Sequence, residues 1–547
     1  MEGPFFTELA ENVYGFKYAN DSDWDWYTNT SALVQEVSEG NLTDDEEHDI
    51  REAINDMKFM PGGRYIYYAG RSANFWNNCF LLAGEEDTRE EWAALMQRST
   101  SCLMTGGGIG IDYSIFRPAG AYLGRTGGEA SGPIPLMHAI NEIGRNVKQG
   151  GSRRSAIYAS LNWSHGDTDA FLHAKDWDEM EIGHTGHTLW HAKQDDFDFP
   201  APLDMTNISI NYDDEFLNYI TNNKSLPNIF LENVKQAMRT GEPGFSFNFG
   251  SKEEDTLRNA CTEVTSADDS DCCNLGSVNM ARIKDIDEFR RVVRAGSKFL
   301  VAGTLTGDLP YDKVREVRDK NRRLGLGLMG IHEWLISRGY GYEVVDELHE
   351  WLAVYAEESE RAANEVCDRL GISRPVAYRA IAPTGTIGIL ASTTTGIEPL
   401  FAVAYKRRYL EGTKWKYMYV VDNTAKLMAE RYGIDPNSIE TAASLAQNPE
   451  RRIKFQADIQ DYVDMSISST LNLPEWGSEV NNENKVEEMA WIIAKYSPRL
   501  RGLTFYPDGA RGGQPITEVD YETAMQHEGT VFEENQELQC NSGICGV

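Results

Sequence analysis

Nowhere in the 547 residues does an apolar run approach the roughly 20 residues needed to cross a bilayer, which excludes a helical membrane protein. The opening MEGPFFTELAENVYGF carries acids where a secretory leader carries bases, so a cytoplasmic location is expected. Basic residues are also scarce: 52 Lys and Arg stand against 85 Asp and Glu, a net charge of −33. Such a field argues against nucleic acid polymers as partners. It still permits a small phosphorylated ligand held by a local nest of amides with one or two bases. Cysteines number only eight. In a reducing compartment they are better read as buried, metal-bound or redox-active than as structural bridges. Repeats, low-complexity stretches and a Walker A lysine are absent too.

What is present is an ordinary globular composition, 41% hydrophobic and 25% charged. Helix and strand patterns alternate along it. DTREEWAALMQRSTSCLM reads as a helix with Asp87 as N-cap, running into the strand-like TGGGIGIDYS. SGPIPLMHAINEIGRNVKQGG is a second helix, with Leu136, Ile140, Ile143 and Val147 on one face, and AIYASLNW a strand. TNISINY and GFSFNF are strand-like, LGLGLMGIHEWLISRG is a strand turning into a helix, and AIAPTGTIGILAST joins an apolar run to a glycine-threonine loop. This alternation favours an α/β core with mostly parallel strands. After about Asp508 the chain turns acidic and loses apolar periodicity, as a mobile tail would.

Five motifs are candidates for chemistry. In the tail, CNSGIC sets Cys540 and Cys545 around Gly543, close enough to close and reopen a small disulfide. The alternative, half of a zinc site, finds no second cysteine or histidine pair to complete it. RNACTEVTSADDSDCCNLGSVNM holds Cys261, Cys272 and Cys273 within thirteen positions. In an extended loop Asn259, Cys261 and Glu263 would project to one side, giving a nucleophilic thiol, a proton-moving carboxylate and an orienting amide. The alternative is a buried packing cysteine with solvated neighbours. VKQGGSRRSA and PTGTIG read as phosphate or base contacts, through Lys148, Arg153 and Arg154 in the first and through amides with Thr384 and Thr386 in the second. His184, His187 and His191 fall at helical spacing able to hold a metal, or else line a polar helix face.

Together FMPGGRYIYYAG, NNCFLLAGEEDT, TGGGIGIDYS, VKQGGSRR, NACTEV, CCNLGSVNM, NRRLGLGLMG, APTGTIGILASTTTGIEP and LTFYPDGARGGQP, in this order, resemble ribonucleotide reductase. The resemblance implies a ten-stranded α/β barrel of two five-stranded parallel halves over residues 56–510, with a finger loop at about 255–280. It adds a helical N-terminal region, 1–55, and a redox tail, 511–547. Cys261 would carry a thiyl radical and take the ribose 3′ hydrogen, Glu263 would accept the 3′-hydroxyl proton, and Asn259 would hold that hydroxyl. Cys79 and Cys273 would be the dithiol that reduces the 2′ position. Cys540 and Cys545 would restore it and be recharged by thioredoxin or a similar reductant. Asn78, Gly107, Thr384, Gly385, Thr386 and Ile387 would bind a ribonucleoside di- or triphosphate. Lys148, Gln149, Gly150, Gly151, Arg153 and Arg154 would form the specificity loop, with Asp87 near a possible deoxynucleotide effector. Cys272 is left without a role. The chain departs from the common Asn-Pro-Cys form by having Ala260, which frees the loop backbone.

The same resemblance bears on the radical source. Members fed by a metal-containing small subunit carry two adjacent tyrosines where this chain has Phe505 and Tyr506, and phenylalanine has no phenolic hydrogen. The glycyl-radical class is disfavoured by its missing loop and four-cysteine zinc site. Adenosylcobalamin is therefore the implied cofactor, in the manner of the monomeric triphosphate-reducing branch, with no protein histidine expected on cobalt and no small radical-generating subunit. A monomer or homodimer is expected, and 55 N-terminal residues are too short for an ATP cone. Two alternatives are the catalytic subunit of a metal-dependent reductase and a nucleotide-binding redox sensor without turnover.

Overall fold

The computed structural model describes residues 5–21, 24–124, 126–147, 155–183, 186–196, 198–411, 414–510 and 516–533. Its strands are β1 (Phe59–Pro61), β2 (Cys79–Ala83), β3 (Gly108–Asp112), β4 (Ile157–Asn162), β5 (Thr206–Tyr212), β6 (Gly244–Phe247), β7 (Leu257–Arg258), β8 (Thr265–Ser266), β9 (Asp271–Asn279), β10 (Leu324–Met329), β11 (Ala404–Glu411), β12 (Lys414–Val421), β13 (Thr470–Leu473), β14 (Gly502–Pro507), β15 (Ile516–Glu518) and β16 (Val531–Glu533).

Five of them, β2, β3, β4, β5 and β6, lie side by side and parallel. Helices cross over between them, among them Arg89–Met104 and Ile134–Asn146. The second half is also parallel. It runs from β9 to β10, then through single bridges Leu326–Arg379 and Ile381–Ile467 to β13 and β14. The halves meet antiparallel at β2–β9 and β6–β14, which closes the expected ten-stranded barrel. β1 adds an antiparallel partner to the far end of β9. Every residue of β9 is buried, as expected of a strand covered on both faces.

Alternation along β2 and β9 sorts their side chains. Cys79 and Leu81 join Cys273 and Leu275 in the cluster inside the barrel. Phe80, Leu82 and Cys272 point outward into the cluster under the helices, with Cys102. Cys272 is thus a packing residue on the opposite face from Cys273.

Three expectations need correcting. The helix at 89–104 is capped by Thr88, whose hydroxyl accepts from Glu91 N at 3.1 Å, because Asp87 is engaged by Arg117 at 2.5 Å. His187 is not helical: a Glu181–Thr188 bridge precedes the helix Leu189–Asp195, and only His191 lies on that helix. Residues 516–533 are not free tail. β15 and β16 pair with the two outer edges of the β11–β12 hairpin, and Tyr521–His527 forms a helix whose Ala524 packs with Ala404 and Val421. Backbone pairing and that apolar contact supply what periodicity could not reveal.

The N-terminal region holds three helices, α1 (Glu8–Lys17), α2 (Trp26–Ser38) and α3 (Asp44–Asn55). Its Tyr14, Trp26 and Ile54 share one core with β9, β10 and the long helices Ile286–Thr306 and Asp346–Leu370.

Candidate active site

The finger loop enters the barrel on a short ribbon, β7 paired with β8. Its stem is locked by a buried network: Asp271 Oδ2 accepts from Arg323 Nε at 3.0 Å, from Ser266 Oγ at 2.7 Å and from Asn321 Nδ2 at 2.9 Å. Gly110 on β3 lets the loop pass. A Cβ there would lie 1.7 Å from the Arg258 carbonyl oxygen.

At the tip the backbone is not extended. Thr262 N donates to Asn259 O at 2.9 Å, closing a β-turn, and Thr262 has φ of 70°. The turn, and not a two-residue period, brings Asn259, Cys261 and Glu263 to one cavity of about 290 Å³. Cys79, Asn78 and Gly107 line the same cavity, and the opposite wall is Thr384, Gly385, Thr386 and Ile387. Cys261 is exposed at the tip, while Asn259 and Glu263 are buried.

Asn259 holds the loop to the thiols. Its Oδ1 accepts from Val264 N at 2.9 Å, and its Nδ2 donates to Cys79 Sγ at 3.0 Å. Cys79 faces Glu263 Oε1 at 4.0 Å and stands opposite Cys273 in the β2–β9 register. Opposed Cα atoms in an antiparallel pair are about 4.5–5.5 Å apart, within the span of a disulfide. Gly325 on β10 keeps the space beside Cys273, since a Cβ there would lie 3.0 Å from its Sγ.

Electrostatics follow from burial. Desolvation pushes the Glu263 carboxyl up to about 7, against hydrogen bonds that lower it. Burial also raises both thiols, Cys79 further through the nearby Glu263 carboxylate. These are resting thiols, not thiolates. Glu263 Oε2 and Asn78 Oδ1 are buried with no protein partner, as acceptors awaiting a hydroxyl or amide would be. Thr384, at φ of 52°, caps the short helix Gly385–Ala391, and its hydroxyl accepts from Gly396 N at 2.9 Å.

The family described as "Ribonucleotide reductase, barrel domain" matches residues 77–237, 212–372 and 374–505, most of the chain. The chain belongs to the ribonucleotide reductase family. It is 26% identical to the vitamin B12-dependent ribonucleoside-diphosphate reductase of Mycobacterium tuberculosis (strain CDC 1551 / Oshkosh), over 88% of this chain and 74% of that protein. It is 25% identical to a putative adenosylcobalamin-dependent ribonucleoside-triphosphate reductase of Mycobacterium phage D29, over 94% of this chain and 81% of that one. The solved structure of a B12-dependent (class II) ribonucleotide reductase superposes with a TM-score of 0.70, covering 96% of this chain and 95% of that one at 15% identity. That last likeness carries the fold.

Not every residue expected at a ribonucleotide reductase site is gathered here. Asp87 sits at the start of the 89–104 helix, paired with Arg117. Lys148, Gln149, Gly150, Gly151, Arg153, Arg154, His184, Cys540 and Cys545 lie outside the described residues. Among the described residues no group of histidines, cysteines and carboxylates is arranged to hold a metal; His191 Nδ1 is engaged by the Thr188 hydroxyl at 2.9 Å.

Two residues of this reductase went unnoticed in the sequence. Tyr18, from the N-terminal region, and Arg64 both line the finger-loop cavity. Arg64 is buried and donates through Nε to Phe75 O at 2.8 Å. Arg64 lies in FMPGGRYIYYAG without having been given a role there, Tyr18 stands in no motif, and only packing of α1–α3 onto the barrel brings Tyr18 there.

A second, wider cavity of about 850 Å³ opens beside the finger loop. Trp177, Trp190 and Trp476 give it aromatic walls, and Lys175, Lys193 and Glu242 supply polar groups. Aromatic faces rimmed by ionised side chains, with Lys175 paired to Glu242 at 2.6 Å and Lys193 to Asp204 at 2.9 Å, make a cavity wide enough for a macrocycle fringed with amides such as a corrin. Asn207 joins this wall to the loop, donating to Ala260 O at 3.0 Å.

Proposed function

We propose that the chain reduces ribonucleoside di- or triphosphates to 2′-deoxyribonucleotides, with adenosylcobalamin as cofactor. The observation that carries this reading is one cavity lined by Cys261, Cys79, the Thr384–Ile387 wall and Glu263 with its unpartnered Oε2, with Cys273 standing directly behind it, opposite Cys79 in the β2–β9 register. Relatives named for vitamin B12 or adenosylcobalamin dependence support the cofactor. Trp177, Trp190 and Trp476 would hold it. When bound, it supplies the bond homolysis from which Cys261 acquires its radical.

The chain's own residues do the rest. The Thr384–Ile387 wall binds the phosphates and thereby sets the ribose against the loop tip. Cys261 sulfur takes the 3′ hydrogen and later returns one. Glu263, ionised above about pH 7, accepts the 3′-hydroxyl proton. Cys79 and Cys273 give two electrons and two protons, the 2′-hydroxyl leaves as water, and a disulfide remains. Cys540 and Cys545 exchange with that disulfide and are themselves reduced by a thioredoxin-type dithiol.

A metal-dependent relay is disfavoured by Phe505, which is buried with its ring 5.8 Å from that of Phe245 and has no hydrogen to pass on. The test is an anaerobic assay with CDP and CTP in parallel, with and without adenosylcobalamin and deoxynucleotide effectors. Deoxynucleotide is expected only with the cofactor. Product that needs a metal-containing subunit instead, or nucleotide binding without product, would overturn the reading.

A further inference from the structure

The turn bearing Cys261 lacks the residue its geometry favours. Ala260 is its second position and Cys261 its third, between Asn259 O and Thr262 N. Proline is preferred at the second position of such turns because its φ is already set. Alanine does not preset that torsion; Ala260 is buried beside Gly108, where a Cβ would lie 3.2 Å from Ala260 Cβ.

The missing restraint is supplied from β5. Asn207 is the one exposed residue of that strand, and its Nδ2 donates to Ala260 O at 3.0 Å. It lines the wide cavity and is not among the residues of the finger-loop cavity. The bond fixes the peptide that leads directly into Cys261, from the wall of the wide cavity.

We infer that Asn207 is a positioning residue for Cys261, replacing by a side-chain hydrogen bond the restraint that proline provides in the Asn-Pro-Cys form. The inference rests on reading Cys261 as the radical-bearing thiol. It requires that the cost of losing Asn207 depend on what stands at 260.

The experiment is a cycle of four chains, native, Asn207→Ala, Ala260→Pro and the double variant, assayed for kcat and KM with adenosylcobalamin and a small dithiol. A misplacement of about 1 Å costs up to about a hundredfold, so Asn207→Ala in the native background should lose about 10- to 100-fold in kcat. KM should stay within about twofold, because Asn207 does not face substrate. With proline at 260 the same substitution should cost less than about threefold in kcat. Asn207→Asp, which cannot donate to the carbonyl, should match Asn207→Ala while keeping native circular dichroism. Native kcat in Asn207→Ala, an equal loss in both backgrounds, or an inactive Ala260→Pro chain would each overturn the inference. Turnover by Cys261→Ala would instead defeat the reading on which it rests.

Discussion

Asn259 donates its side-chain amide to the sulfur of Cys79 at 3.0 Å, tying the finger loop to the strand that carries one half of the opposed cysteine pair. The loop and the pair are therefore one unit, and geometry lost in either is felt by the other.

Cys79 and Cys273 should pair only as a consequence of turnover. When the reduced protein is given substrate and adenosylcobalamin without external reductant, mass spectrometry after alkylation should find a Cys79–Cys273 linkage in step with product. Cys79→Ser or Cys273→Ser should retain nucleotide binding and lose sustained turnover. Product formation in either variant at the native rate would remove the pair from the mechanism.

Glu263 sets a pH dependence with a definite sign. Its carboxyl is raised from an ordinary 4.5 to about 7 in the folded chain. As a base it must be ionised, so kcat should climb through about pH 7 and Glu263→Gln should abolish the climb along with activity. Stability runs the other way: a raised carboxyl favours the fold below the unfolded value, and that contribution is lost as pH rises through the folded one. Glu263→Gln should therefore be more stable than the native chain at pH 8, by on the order of 3 kcal/mol, and nearly equal to it at pH 4. Thermal unfolding at the two pH values checks this.

Gly110→Ala should damage the finger loop without touching any reacting group. Its Cβ would fall 1.7 Å from Arg258 O, a backbone atom that cannot swing aside. A loss of about 2–3 kcal/mol or more is expected in denaturant titrations, with activity falling further because the loop tip shifts.

The tryptophan-walled cavity should report a corrin directly. Adding hydroxocobalamin in the dark should quench tryptophan fluorescence, and Trp476→Ala should weaken binding by about tenfold, the loss of one aromatic wall. Binding unchanged by that substitution would place the corrin elsewhere.

The tail makes a separate prediction. Cys540→Ser with Cys545→Ser should end thioredoxin-supported turnover while a small dithiol, able to reach the internal disulfide, still sustains it. Loss of both would deny the tail a shuttle role.

Much of this was written in the order of residues. Short apolar runs bounded by turn residues located β4, β5 and β10, which are buried on both faces, and a 3.6-residue period located the 134–146 helix, whose one buried face local spacing records. The motifs around Cys261, Cys79 and Thr384 named the chemistry, since thiol, carboxylate and amide are properties of side chains and not of position. Tertiary structure alone decided the rest. Which cysteine of the Cys272–Cys273 pair faces inward follows from register against β2; that Asn259, Cys261 and Glu263 converge follows from a turn with Thr262 left-handed, where an extended loop was expected. Tyr18 reaches the cavity, 516–533 dock on the hairpin, and Asn207 holds Ala260, all through contacts between segments far apart in the chain. Such contacts leave no periodic trace, because each depends on where a second segment lies once the barrel has closed.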